Sequence, residues 1–235
     1  GFVNALFQEH IAANKLSKMY FEEIVSLCTV GNSIKKIKTK WIQTISSLIS
    51  VLNPKSELFE KIFNLIENDN IELLFQTESS KYEDDLKLSL IKKLINKCSL
   101  QNTRTQIIYE DTIGYFIQTS NACKNYLLEI LAKRQLTDRI KVVCCKIIRN
   151  SLLNFEQQKK YTEFALEELH LTENSYYAGN LVQVLSSHKA GDDKLVERLV
   201  SFEKLNKYHE YRDNLYDLIM ELNLVDKFYF YALNG

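Results

Sequence analysis

The sequence predicts an all-α protein. Apolar residues recur at three- and four-residue steps along nearly the whole chain, the spacing of one helix face. Six Gly and one Pro punctuate 235 residues, far fewer than the tight turns of an all-β sandwich or barrel demand. With 46% hydrophobic and 26% charged residues, the chain has the composition of a folded domain rather than a disordered one.

The expected helices run, in order, over 3–14 and 17–30, with Gly31 as the stop of the second. Ile37, Trp41, Ile45, Leu48 and Leu52 form one face of a helix over 33–52, with Ile34, Ile42 and Ile49 widening it. Asn53 reads as an N-cap and Pro54 as the first residue of a helix over 54–68, where a missing N–H costs nothing. Its apolar face is Leu58, Ile62 and Leu65 with Phe59, Phe63 and Ile66. A short helix over 70–76 precedes one over 82–99, which opens on Glu83, Asp84 and Asp85 and carries Leu88, Ile91, Ile95 and Cys98. Helices over 103–119, 121–134, 138–153, 155–170 and 174–188 follow, with Thr137-Asp138 and Thr172-Glu173 as two of the start signals. Gly191 marks another stop, and the last helices run over 192–205, 208–223 and 226–233.

Three of these segments align with one another. Residues 139–148, 176–185 and 210–219 superpose so that Cys144, Leu181 and Leu215 share an apolar column. Ile147, Val184 and Leu218 form a second column, and Ile148, Leu185 and Ile219 a third; Lys146, Gln183 and Asp217 form a polar one. A second helix follows each of the first two copies. The unit is therefore a helix pair with a period of roughly 34 to 40 residues. The Trp, Gly, Tyr, Ala and Pro pattern of tetratricopeptide repeats is missing. Over 103–223 the degenerate apolar signature resembles HEAT or armadillo-like repeats, and over 17–99 it does so faintly. That resemblance implies an α-α superhelix of stacked antiparallel helix pairs, with an irregular helical bundle as the alternative. The expectation is one α-helical repeat domain over 1–235, regular over 103–223 and less regular over 1–100. The start at Gly1 and the apolar residues at the other end suggest a piece of a longer protein.

Little in the sequence points to chemistry. The formal net charge is zero, from 30 basic and 30 acidic residues, which disfavours a duplex nucleic-acid binder. Cys28, Cys98, Cys123, Cys144 and Cys145 are odd in number and form no Cys-x-x-Cys pair, so neither a disulfide framework nor a zinc site is expected. Adjacent Cys144 and Cys145 point about 100° apart on a helix and read as core. His10, His170, His188 and His209 have no His or Cys neighbour at helical spacing and read as surface residues. The acidic pairs Glu22-Glu23 and Glu167-Glu168 fit no calcium loop or zinc helix, and no glycine-rich phosphate loop occurs. No cofactor or metal is expected, nor a membrane-spanning segment. A reducing cytoplasmic or nuclear compartment is the expectation.

Two clusters remain as candidate partner-binding residues. Lys35, Lys36, Lys38 and Lys40 form the strongest single-sign run, and Phe228, Tyr229, Phe230 and Tyr231 form an apolar aromatic run. Aromatics bury large areas at interfaces at low entropy cost. The functional expectation is a non-enzymatic scaffold or sensor module that binds a protein through a solenoid surface. Nucleic acid is the less favoured partner. HEAT-like repeats also serve as DNA binders in the alkylpurine DNA glycosylase family, and the lysine run keeps that alternative. Residues 73–81 and 85–90 faintly resemble helical sensor regions of bacterial signal-transducing NTPases, a further alternative.

Overall fold

A computed structural model describes residues 5–31, 35–100, 110–133, 135–172 and 174–188, with positions 216, 219, 220, 223 and 225. It is all-α apart from one pair of two-residue strands. The chain divides into two compact units, Gly1–Leu94 and Ile95–Gly235.

The first unit contains α1 (Ala5–Leu16), α2 (Phe21–Cys28), β1 (Thr29–Val30), β2 (Lys36–Ile37), α3 (Ile42–Val51) and α4 (Glu57–Asn70). Single 3₁₀ stretches occupy Thr39–Trp41, Ile71–Gln76 and Ser79–Lys81, and α5 (Asp84–Leu100) begins in this unit. α3 packs against α1 and α4, and α4 also meets α2, β2 and the 71–76 stretch. Ile24, Ile45, Leu48, Ile49, Ile62 and Leu74 are completely buried in the core. Phe59, Phe63 and Tyr82 form an aromatic triangle with centroids 6.1–6.2 Å apart. The Tyr82 hydroxyl lies 2.7 Å from Thr77 Oγ1, which itself donates to the Leu74 carbonyl at 2.6 Å.

Two local expectations are overturned here. The helix expected over 33–52 begins only at Ile42, because Lys36–Ile37 forms a strand and Thr39–Trp41 a 3₁₀ turn before it. Gly31 takes a φ of 96°, a left-handed conformation that glycine adopts without a Cβ penalty. It sits beyond β1 rather than at the end of a helix. The Lys38 amide then donates to the Cys28 carbonyl and the Ile37 amide to Asp69 Oδ2, both at 2.8 Å. These long-range bonds replace the i→i−4 bonds of the expected helix turn. Asn53 is not a helix N-cap either. Its side chain accepts from the Lys55 amide in a turn, and α4 starts after Ser56, whose hydroxyl accepts from the Phe59 amide. Pro54 belongs to that turn.

The second unit contains the end of α5, then α6 (Glu110–Phe116), α7 (Asn121–Leu131), α8 (Asp138–Arg149), α9 (Phe155–Leu171) and α10 (Ser175–Ser187). α8 packs against α6 and α10, while α7 packs against α8 and α9, and α9 against α10. Polar bonds fix the direction of this packing. Asn174 Nδ2 donates to Asp138 at 3.1 Å, joining the starts of α10 and α8, and Arg149 donates to Gln183 at 2.9 Å near their ends. The two helices are parallel. The Lys124 ammonium donates to both the Gln118 and Leu152 carbonyls, so the turns that follow α6 and α8 also lie together. Gly114 of α6 permits the close approach: a Cβ there would come within 2.6 Å of the Ile147 carbonyl and of Asn150 Cβ.

The aligned columns carry matching burial. Cys144 and Leu181, Ile147 and Val184, and Ile148 and Leu185 are all completely buried, and Ile219 is 3% exposed. Lys146 and Gln183 of the polar column are half-exposed. α9 opens on a capping box between Asn154 and Gln157. α10 opens on Asn174, which caps the Tyr177 amide, and not on Thr172-Glu173; Thr172 closes α9 instead. The expected helices over 192–205 and 226–233, and Gly191, lie outside the described residues, as does most of 208–223.

Candidate functional site

The lysine run lies on the strand pair of the first unit rather than on the helix expected for it. Lys35 precedes β2, Lys36 is in it, Lys38 follows it, and Lys40 is in the 3₁₀ turn. The Lys35 ammonium donates to the Gly31 carbonyl and that of Lys38 to the Leu27 carbonyl, both at 2.7 Å. Leu27 is next to the last residue of α2, so Lys38 places a cation where the helix dipole is negative. Lys36 and Lys40 are exposed and make no ion pair among the described residues, in contrast to Lys61, Lys93, Lys141 and Lys160. Glu22, Glu23, Ser26, Leu27 and Lys38 line an open depression of about 570 Å³ beside the run. Beneath it, burial pushes the Cys28 thiol up to about 11, against the opposing pull of Lys38 and Lys40. Phe228, Tyr229, Phe230 and Tyr231 lie outside the described residues.

The densest polar cluster is in the second unit and was not legible in the sequence. Lys141 of α8 pairs with Glu168 of α9 at 2.7 Å, with side chains only 7% and 12% exposed. The Tyr177 hydroxyl of α10 donates to the same carboxylate oxygen at 3.0 Å, and the Lys141 ammonium lies 5.5 Å from the Tyr177 ring centre. Nearby, Tyr161 donates to the Leu181 carbonyl at 3.1 Å and lies 3.7 Å from Cys145 Sγ. Lys141 aligns with Ala178 and Arg212, outside the apolar columns, and nothing local signals its partner 27 residues away.

The thiols and phenols of this cluster are driven away from neutral pH. Burial raises the Cys145 thiol to about 12 despite the Tyr161 hydroxyl beside it, and raises Cys144 as well. Burial likewise pushes the Tyr161 and Tyr177 phenols upward. A thiol acts as a nucleophile or metal ligand only as the thiolate, so both cysteines pack as protonated core residues. His188 differs from the surface histidine expected: it is half-buried, with Nε2 3.0 Å from the Ile148 carbonyl, and burial lowers its pKa. Burial also lowers the pKa of Lys124. Among the described residues no group of three His, Cys, Asp or Glu side chains is placed to hold a metal. No helix among them is long and apolar enough to cross a membrane.

Searches of protein-family models, curated proteins and solved structures find no match to this chain.

Proposed function

We propose that this chain is a non-enzymatic binding module that holds a protein partner on the surface of a stack of helix pairs, a superhelix of the HEAT or armadillo kind. The observation that carries the reading is the parallel side-by-side packing of α8 and α10. Polar bonds spaced 36 and 34 residues apart join the starts of the two helices and the neighbourhood of their ends. Arg149 and Asn150, at the end of α8, donate to Asp111 of α6, so α6 also adjoins α8. α7 and α9 pack together as the second helices of their pairs, tied by the Gln157–Asn125 bond at 2.8 Å. Repetition of this kind spreads side chains over a long surface instead of converging them on a pocket. Burial pushes the thiols of Cys144 and Cys145 and the phenols of Tyr161 and Tyr177 upward, away from the range of a general acid or base tuned near pH 7.

Affinity capture from the native cell extract, followed by lysine crosslinking, tests the reading. The expected result is a specific protein crosslinked to lysines within 121–160. Retention of no protein above a control column overturns it. So does tight binding to DNA that falls steeply between low and moderate salt, which is the outcome the DNA-glycosylase alternative requires.

A further inference from the structure

The strand pair of the first unit has two unlike faces. Thr29 pairs with Ile37, and Val30 with Lys36. Directly opposed residues share a face, and successive residues along a strand alternate between faces. Thr29 and Ile37 are 6% and 7% exposed, and the Ile37 amide is held by Asp69 of α4. Val30 is 52% exposed and Lys36 is exposed beside it. One face is therefore seated on the unit, and the other offers an apolar side chain next to an ammonium. Leu27, 42% exposed, adds a second apolar side chain at the end of α2.

Charge and order complete the surface. Lys35 and Lys38 are tethered through backbone carbonyls. Glu22 and Glu23 line the depression beside Lys38 and Leu27, so the four ammonium groups of the run outnumber the two carboxylates next to it. Each ammonium has three N–H groups, so one bond to a carbonyl leaves two for a ligand. Lys36 and Lys40 have neither tether nor ion pair among the described residues. Four cations within six residues, two of them held in place, lose little entropy on meeting an anion. Val30 and Leu27 favour a protein ligand, because a phosphate backbone offers no apolar group to cover them.

We propose that this face docks an acidic peptide segment of a partner protein. Carboxylates meet Lys36 and Lys38, which alternate to the same side of the chain, with Lys35 and Lys40 close to them in sequence, and an apolar side chain covers Val30 and Leu27. The proposal rests on the reading of the chain as a protein-binding module and supplies the chemistry of its partner.

Fluorescence anisotropy on the whole chain tests it, with a labelled peptide of glutamate and leucine as the probe and a labelled oligothymidylate of equal charge as its rival. Reversing Lys36 and Lys40 together (Lys36→Glu, Lys40→Glu) is expected to weaken peptide binding about tenfold or more and to remove most of its salt dependence. Val30→Ser is expected to weaken it about threefold while leaving the salt dependence in place. Lys15→Glu with Lys18→Glu, two exposed lysines at and just past the end of α1, reverses as many charges away from the strand pair and is expected to change nothing. Peptide binding unaffected by the Lys36 and Lys40 reversal overturns the proposal. Equal loss from the Lys15 and Lys18 reversal, or oligothymidylate binding as tight as the peptide's, also overturns it. Circular dichroism confirms that each variant folds. The broader reading fails separately: a captured protein partner retained undiminished by the Lys36 and Lys40 reversal variant removes the docking face alone. Capture of no protein by the unmodified chain removes the broader reading, and the peptide titration still decides the docking face.

Discussion

In the first unit, α1 to α4 meet at unlike positions, and the irregular joints between them are closed individually. Lys38 caps the end of α2, Lys81 donates to the Ser50 and Leu52 carbonyls at the end of α3, and Asp69 holds β2. In the second unit, α8 and α10 bury the same columns, and Arg149 of α8 bonds to both α6 and α10. Both units satisfy helix-end carbonyls with cations; in the second, Lys124 serves the turns after two helices at once. The difference lies in how far one substitution reaches. A joint in the first unit is a local contact. A bond in the second ties helices that bury the same columns, so its loss is expected to be felt by both helices it joins.

The largest test of that contrast is Glu168→Leu, which leaves the Lys141 ammonium and the Tyr177 hydroxyl buried without their carboxylate. Urea unfolding is expected to show a loss of about 3–5 kcal/mol. Adding Lys141→Met is expected to recover most of it, because a well-packed apolar pair replaces a buried ionic one at little cost. Failure of the double variant to recover would assign the loss to packing, not to the stranded charge.

Gly114→Ala comes next. The added methyl meets a carbonyl oxygen on α8 that has no rotamer to move to. The expected loss is about 1–3 kcal/mol, read by the same unfolding assay. An unchanged midpoint would mean that α6 can draw back from α8 without cost.

A smaller effect sharpens the first-unit side of the comparison. Ser56→Ala removes the side-chain acceptor for the Phe59 amide and is expected to cost about 1 kcal/mol. Asn53→Ala disturbs only an exposed turn and is expected to fall within about 0.5 kcal/mol of the parent. Reversal of that order would restore Asn53 as the effective cap of α4.

The smallest effect is a pH dependence. Burial lowers the His188 pKa below its ordinary 6.5, with Lys124 adding repulsion and the Ile148 carbonyl opposing the shift. Below that ordinary value the unfolded chain binds a proton more readily than the folded one. The stability that this depressed pKa confers is therefore complete above pH 6.5 and lost as pH falls through it. His188→Gln is expected to flatten the stability profile of the second unit between about pH 5 and 7 while keeping a donor for the Ile148 carbonyl. An identical profile in the variant would place the dependence elsewhere.

Helix existence was legible for α3, α4 and α8, although the period that runs back from α3 through Trp41 and Ile37 ends in a 3₁₀ turn and a strand. The faces of α3 (Ile45, Leu48), α4 (Ile62, Leu65) and α8 (Ile147, Ile148) are buried as their spacing requires. The acidic start of α5 and the start of α8 after Thr137 were also legible. The Asn53 and Thr172 caps were misassigned because a neighbouring polar residue, Ser56 in one case and Asn174 in the other, has the same capping chemistry. Which of two adjacent caps is used depends on where packing stops the helix.

The sequence by itself determined an all-α chain and the repeating columns of α8 and α10, because helix periodicity and side-chain burial are local and recur. Only the tertiary structure decided that Lys36 and Ile37 are strand residues, that Lys141 is a buried cation with Glu168 as its partner, and that Gly114 is a contact point. Each of these depends on an atom brought from far along the chain: Asp69 for Ile37, Glu168 for Lys141, Ile147 for Gly114. Local preference is worth a fraction of a kcal/mol per residue (about 0.7 at most for ordinary residues), and one well-made buried long-range bond outweighs it.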